Sequence, residues 1–319
     1  MSLAPSHPPV GAVELRPATA RRQALAYLEL TKPRIVLLVV MTGVPALLLA
    51  AHGFPAPRVF FGTLLGTVLA AASAASFNMY FDRDLDALMR RTATRPLPSG
   101  VLPPSSALGL GFVLAGTAWM VLLLSANVLA ASIGLLSIFY YAIIYTVWLK
   151  RRTPQNIVIG GAAGASAPLI AWAAVTGHLS VAAVLLASIV FLWTPPHFWA
   201  LALYRREDYA HAHVPMLPIT HGDRETRRQI LLYTWVLVPV TLALGPLGLA
   251  GPLYMIPAAL LGTGFILQAT RLHRSGALPD AVRLFRYSIL YLFLLYVSLT
   301  ADALWRLGAR AAQTLAGAG

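Results

Sequence analysis

The chain has no cysteine, which excludes disulfides, thiolate metal sites and a cysteine nucleophile together. Charge is scarce as well: 11% of the 319 residues are Asp, Glu, Lys or Arg, against about 25% in soluble domains. Acids number only 11. Missing too are a Ser-His-Asp signature and the D-G-x-x-A-R string of the CDP-alcohol phosphotransferases. The glycines of "IGGAAGASAP" (159–168) sit inside an apolar run without a P-loop lysine, so they suit close helix packing better than phosphate binding. What fills the chain instead is hydrocarbon, 58% of the residues being hydrophobic.

Apolar runs of about 18 residues or more are long enough to cross a bilayer. They fall near 35–52, 59–81, 105–125, 128–149, 156–176, 180–203, 230–250, 252–271 and 286–305, which predicts an all-α, polytopic membrane bundle of nine transmembrane helices. Of the 24 Lys and Arg, all but Arg58, Arg306 and Arg310 lie before the first span or after an even-numbered one. Basic residues collect in cytoplasmic loops, so the N-terminus is expected inside. The net charge of +13 is then a topology signal, and no soluble basic domain exists to bind nucleic acid. Residues 1–33 divide off as a cytoplasmic tail, Pro-rich at "PSHPPVG", that runs into an interfacial segment. Residues 34–306 form the membrane domain and 307–319 a C-terminal tail. No signal-peptide core precedes the first span and Glu14 and Glu29 weaken a transit-peptide reading, so a bacterial plasma membrane is expected.

Seven of the acids lie in two loops of one face: Asp82, Asp84 and Asp86 after the second span, and Glu207, Asp208, Asp223 and Glu225 after the sixth. Asn78, Asp82 and Asp86 stand at i, i+4 and i+8, each displaced by about 40° around a helix, so they form one polar stripe. Asp84 lies about 240° round from Asn78 and is expected to be solvated or paired with an arginine. Charge at a membrane edge is a functional-site signal. Carboxylates about 6 Å apart in helix rise suit Mg²⁺ held against a polyanion, since Mg²⁺ takes one or two carboxylates, waters and phosphate oxygens. A diphosphate on a lipid tail matches the site and the apolar interior beside it. Asp208, with Arg205 and Arg206 within a turn, offers a second acidic loop facing the first.

The motifs "NMYFDRDLDALMRRTATRPLP", "YTVWLKRRTPQNIVIGGAAGASAPLIAWAAVTG" and "FLWTPPHFWALALYRREDYAHAHVPMLP" resemble the intramembrane aromatic prenyltransferase (UbiA-type) superfamily. Within it they resemble the protohaem IX farnesyltransferases, from about residue 27 to the end of the ninth span. The resemblance implies transfer of a farnesyl group from farnesyl diphosphate to a vinyl group of haem B, with water entering, to give haem O. It implies catalytic roles for Asn78, Asp82, Asp86 and Asp208, with Mg²⁺ on Asp82, Asp86 and Asp208. Arg95, Lys150, Arg151, Arg205 and Arg206 would meet the substrates. Partners would be the lipid bilayer and the next enzyme of haem A synthesis. The second loop departs from the superfamily pattern: Ala212 stands where D-x-x-x-D would place its second acid, and His213 where the haem branch commonly has Gly.

Two prolines, Pro195 and Pro196, are expected to break the sixth span. His197 directly after them is a candidate haem-iron ligand, with a carbonyl-bonded structural histidine as the alternative. Trp193, Phe198, Trp199, Tyr140, Tyr141 and Tyr145 could shield a carbocation, although packing is their commoner use. Two rival functions remain: a sister prenyltransferase with another aromatic acceptor, and a non-enzymatic haem carrier, which would not need the aspartate stripe.

Overall fold

A computed structural model describes residues 19–316, among which there are helices and no strands. The "PSHPPVG" segment and Glu14 lie outside the described residues. Proline at the first helical position presets φ where an N–H would go unpaired anyway, and four long helices start this way: α2 (Pro33–Ala51), α3 (Pro57–Phe81), α5 (Pro104–Ser125) and α13 (Pro252–Ser275). They follow a short amphipathic α1 (Ala20–Leu30), which Thr19 caps through Arg22 N. Between α3 and α5 comes one further turn, α4 (Arg83–Leu88).

α6 (Val128–Phe139) runs without a break into a ten-residue π-helix, Tyr140–Leu149, a geometry found mainly as short insertions at functional sites. The fifth run is two helices in line, α7 (Asn156–Gly164) and α8 (Ser166–Thr176). α9 (Val181–Tyr204) leads to the small α10 (Arg206–His211) and α11 (Leu217–Thr220), then to α12 (Gly222–Leu242). α14 (Leu278–Ala316) closes the ring by packing on α13, α9 and α2.

Small residues let backbones approach where helices cross in a membrane. Gly62 and Gly66 of α3 lie against Ser125 and Leu122 of α5, and Gly111 of α5 against Phe77 of α3. These two helices make the most extensive helix pairing among the described residues. Gly160 abuts the ring of Tyr145, and Gly161 lies against Thr194. Gly164 has open space where a side chain would go, so only two of the three glycines in that run have the packing role expected of them.

Among the described residues, eight helical stretches are long and apolar enough to span a membrane. The run near 230–250 does not qualify. Its helix, α12, starts at Gly222 and carries Asp223, Arg224, Glu225, Arg227 and Arg228 in its first two turns, and it ends at Leu242, where "GPLGLAG" forms turns. The polar first two turns belong at the charged end of the bundle, so only the remainder of α12, residues 229–242, is lipid-like. The last helix also exceeds expectation, running from Leu278 through the supposed tail to Ala316, because "LWRLGARAAQTLA" is rich in strong helix formers. The two prolines do not split α9, which continues to Tyr204. Lacking N–H groups, they remove two bonds of the ladder while the helix continues past them.

Candidate active site

α3 ends at Phe81, and Asp82 is the hinge to α4, with φ −90° and ψ 1°. Hydrogen bonds from Asp82 N to Asn78 O (2.9 Å) and from Asp86 N to Asp82 O (2.7 Å) carry the helical register across the hinge. Asn78, Asp82 and Asp86 therefore share one inward side, and all three are buried. Burying carboxylates is costly unless they are paired, and each has a basic partner. Lys150, just after the π-helix, places Nζ 2.6 Å from Asp82 Oδ2, which also accepts from Asn78 Nδ2 at 2.7 Å. Arg95 donates through one nitrogen to both oxygens of Asp86, at 2.8 and 2.7 Å. Thr146 accepts from Asn78 Nδ2 at 3.0 Å and donates to Tyr141 O.

Lys32 completes the cluster, its Nζ 2.5 Å from Asn78 Oδ1. Its backbone is left-handed (φ 50°, ψ 59°), a conformation costing roughly 1–2 kcal/mol for a residue with a Cβ. Pro33 disfavours the right-handed helical alternative, and the result turns the side chain inward. Removal from water, with Arg95 close by, pushes its pKa down to about 7. Its position just before the first span makes it look like one more topogenic cation, and nothing in its sequence spacing ties it to a residue 46 positions away.

Asp84 points the other way, as its angle on the helix requires. Its side chain is 59% exposed and forks with Arg151 at 2.7 Å, and that guanidinium holds its carboxyl below the usual range. Arg151, expected to meet substrate, is thus committed to Asp84 and to the Phe81 carbonyl. It follows Lys150 directly in the chain and leaves the backbone on the opposite side.

In the second loop, Asp208 lies on α10 with Arg205 NH1 3.8 Å from Oδ2, too far for a hydrogen bond. Arg206 turns to Asp223 at 3.3 Å. The two loops meet through Arg91, whose guanidinium lies 3.5 Å from the Tyr209 hydroxyl and 5.9 Å from the centre of that ring. His213 has φ 53°, the left-handed region that glycine occupies without penalty.

Among the described residues, no three His, Cys, Asp or Glu side chains form a ready metal cage, so Asp82, Asp86 and Asp208 do not converge on one point. Yet Asp82 Oδ1 and Asp208 Oδ2 are both buried without a hydrogen-bond partner. Anionic oxygens left bare in this way suit a cation, and a Mg²⁺ that draws most of its ligands from phosphate and water needs no protein cage. The chemistry of the donors fits Mg²⁺.

Further along α9, His197 lies between the Trp193 and Phe285 rings, with centroids 4.3 and 4.7 Å away and planes nearly parallel. Its Nδ1 is 2.7 Å from Ser288 Oγ, which donates to Phe285 O. The serine proton being engaged there, Nδ1–H donates to Oγ and the lone pair falls on Nε2. Phe198 meets His197 edge-on, whereas Trp199 packs against Tyr233 and Tyr140 bonds to Ile159 O. Tyr141 and Tyr145 stack at 5.3 Å.

A helical bundle carrying a buried, counter-charged N-x-x-x-D-x-x-x-D face is the architecture of membrane prenyltransferases. The chain matches the UbiA prenyltransferase family over residues 36–298 and belongs to it. It is 48% identical to the protoheme IX farnesyltransferase of Azorhizobium caulinodans over 88% of this chain and 92% of that one. Its fold resembles that of a digeranylgeranylglyceryl phosphate synthase (TM-score 0.74, 18% identity, 88% of this chain and 98% of that one). It also resembles a UbiA homologue from Archaeoglobus fulgidus bound to DMAPP and Mg²⁺ (TM-score 0.60, 14% identity, 85% and 99%).

Proposed function

We propose that this membrane enzyme transfers the farnesyl group of farnesyl diphosphate to a vinyl group of haem B, with addition of water, giving haem O and diphosphate. One observation carries the reading: the buried Asn78–Asp82–Asp86 face belongs to a chain nearly half identical, over most of its length, to a protein named protoheme IX farnesyltransferase. A haem carrier would have no use for that face. A sister enzyme with another acceptor would not explain the identity. By the same reasoning residues 34–306 form the catalytic domain, α12 joins the eight apolar helices as a ninth crossing, and the N-terminus and charged face lie in the cytoplasm of a bacterium.

Lys150 and Arg95 balance Asp82 and Asp86, and Lys32, with its pKa near 7, adds positive charge when protonated, as it would be against a diphosphate. Asp82 and Asp86 on one loop and Asp208 on the other would hold Mg²⁺ ions on two sides of the diphosphate, where the metal would supply neutralisation of the charge on the leaving group. Lys150 and Lys32 stand within reach of the same oxygens. Arg95 fixes Asp86, Asn78 orients Asp82, and Arg205 and Arg206 line the approach from the second loop. Arg151 holds the hinge from outside by way of Asp84.

The allylic C–O bond breaks with its electrons leaving on diphosphate. The haem vinyl carbon then attacks the farnesyl cation. Water captures the new cation next to the porphyrin and releases one proton. No protein nucleophile is required, and the protein acts through positioning and charge.

His197 is assigned to haem. Ser288 fixes its tautomer, as the partner of a metal-binding histidine does, and Nε2 is left to meet the iron. The product passes to the next enzyme of haem A synthesis. Incubating the purified protein with haem B, Mg²⁺ and prenyl diphosphates of several lengths tests the reading. Mass analysis should find a porphyrin enlarged by one farnesyl group and one hydroxyl group; an unaltered porphyrin with all of them would refute it.

A further inference from the structure

Beyond the transfer site, an open cavity of about 420 Å³ lies at the charged end of the α13–α14 hairpin. Its walls are Gln268 and Arg271 from α13, and Asp280, Arg283, Arg286, Tyr287 and Leu290 from α14. Arg283, Arg286, Tyr287 and Leu290 follow i, i+3, i+4 and i+7 spacing, one face of a helix. The face toward α9 instead carries Phe285 and Ser288, the partners of His197.

The charge arrangement is built rather than scattered. Asp280 is buried and accepts from Ser275 Oγ at 2.6 Å through Oδ2. Its other oxygen, Oδ1, holds two guanidinium groups, Arg271 at 3.0 Å and Arg283 at 3.2 Å. Arg286 has no carboxylate partner among the described residues. Three cations and one acid thus line the same cavity, and topology signalling alone would need only their number.

Immediately toward the membrane the wall turns apolar. Leu290 is 48% exposed and Leu267 63%, while the Tyr287 hydroxyl is turned away to donate to Leu261 O at 2.8 Å. A ligand fitting both parts has an anionic head and a hydrocarbon tail. Basic pockets between membrane helices bind anionic lipid headgroups.

We infer that this cavity is a binding site for an anionic phospholipid, with the phosphodiester held by Arg271, Arg283 and Arg286 and an acyl chain lying along Tyr287 and Leu290. The lipid would tie α13 to α14 behind the helix face that presents Phe285 and Ser288.

The test is titration of the delipidated full chain in detergent, read by native mass spectrometry, with phosphatidylglycerol and phosphatidylcholine of identical acyl chains. The wild type should favour phosphatidylglycerol. Each basic group near a membrane surface is worth about fivefold in anionic-lipid binding, so Arg271→Gln with Arg286→Gln should cut that preference about 25-fold. On the wild type alone, a photoactivatable phosphatidylglycerol should label segment 268–290 above all others, which removes dependence on the variant's folding. Equal affinity for the two lipids, an unchanged preference in the double variant, or labelling not enriched in that segment would overturn the inference. So would complete displacement of the lipid by equimolar glycerol phosphate, which would make the site one for a soluble phosphate ester.

Discussion

Lys150 Nζ lies 2.6 Å from Asp82 Oδ2 although the two residues are 68 apart in the chain. The contact joins the end of the π-helix to the hinge between α3 and α4. Removing one member of a buried pair leaves the other uncompensated, a loss of about 3–5 kcal/mol at full burial. Lys150→Met should therefore lower the thermal midpoint of the purified protein. Adding Asp82→Asn should recover part of the loss, with a coupling energy of about 1–3 kcal/mol in a double-mutant cycle.

Arg151 and Asp84 provide the contrast. Their fork is similarly short but largely exposed, and exposed pairs are worth about 0–1 kcal/mol. Asp84→Ala should leave prenyl transfer within about twofold of wild type, whereas Asp86→Ala, which also strands Arg95, should reduce it at least a hundredfold, the scale of losing an electrostatic catalytic group. Product formation under identical conditions checks both.

His197→Ala should remove the stack on Trp193 and Phe285 and shift the Soret band of the haem-loaded protein. Ser288→Ala leaves the ring in place and releases Nδ1, so a smaller shift with weaker haem affinity is expected. A Soret spectrum identical to wild type in both variants would mean that His197 only packs.

Gly160 and Gly164, one turn apart, should respond in opposite ways to alanine. A Cβ at 160 meets the Tyr145 ring and a Cβ at 164 meets nothing. Gly160→Ala should cost about 1–3 kcal/mol by overpacking, and Gly164→Ala should be neutral or stabilising, since alanine is the better helix former. Thermal unfolding distinguishes them.

His213 adopts a positive φ of 53° where glycine has no steric penalty. His213→Gly should raise the thermal midpoint, with up to about 1 kcal/mol of strain relieved, and leave turnover unaltered.

The apolar runs and the i, i+4, i+8 spacing made the helices and the shared face of Asn78, Asp82 and Asp86 legible from sequence, and the 240° offset foretold the separate direction of Asp84. Both follow from local periodicity. Lys32, Thr146, Arg91 and Ser288 were not legible as members of their clusters, because each meets partners dozens of positions away and no local spacing records such contacts. The π-helix that sets Thr146 and Lys150 against the aspartates has no sequence signature of its own here. The limits of α12 were misplaced because the apolar run near 230–250 counts residues that leave the helix at Leu242. His213 is a mixed case: the departure from glycine is plain in the sequence, and only the backbone angle gives its cost.

The central claim is that Asp82 and Asp86, with a divalent cation, release diphosphate from a prenyl chain so that haem can take it. Its most direct test is the release of diphosphate from farnesyl diphosphate and haem B by the wild type and by Asp82→Asn, each with Mg²⁺ and with chelator. Release should occur in the wild type with Mg²⁺ and be abolished in the other three conditions. Undiminished release by the chelated wild type, or by the variant, would contradict the account.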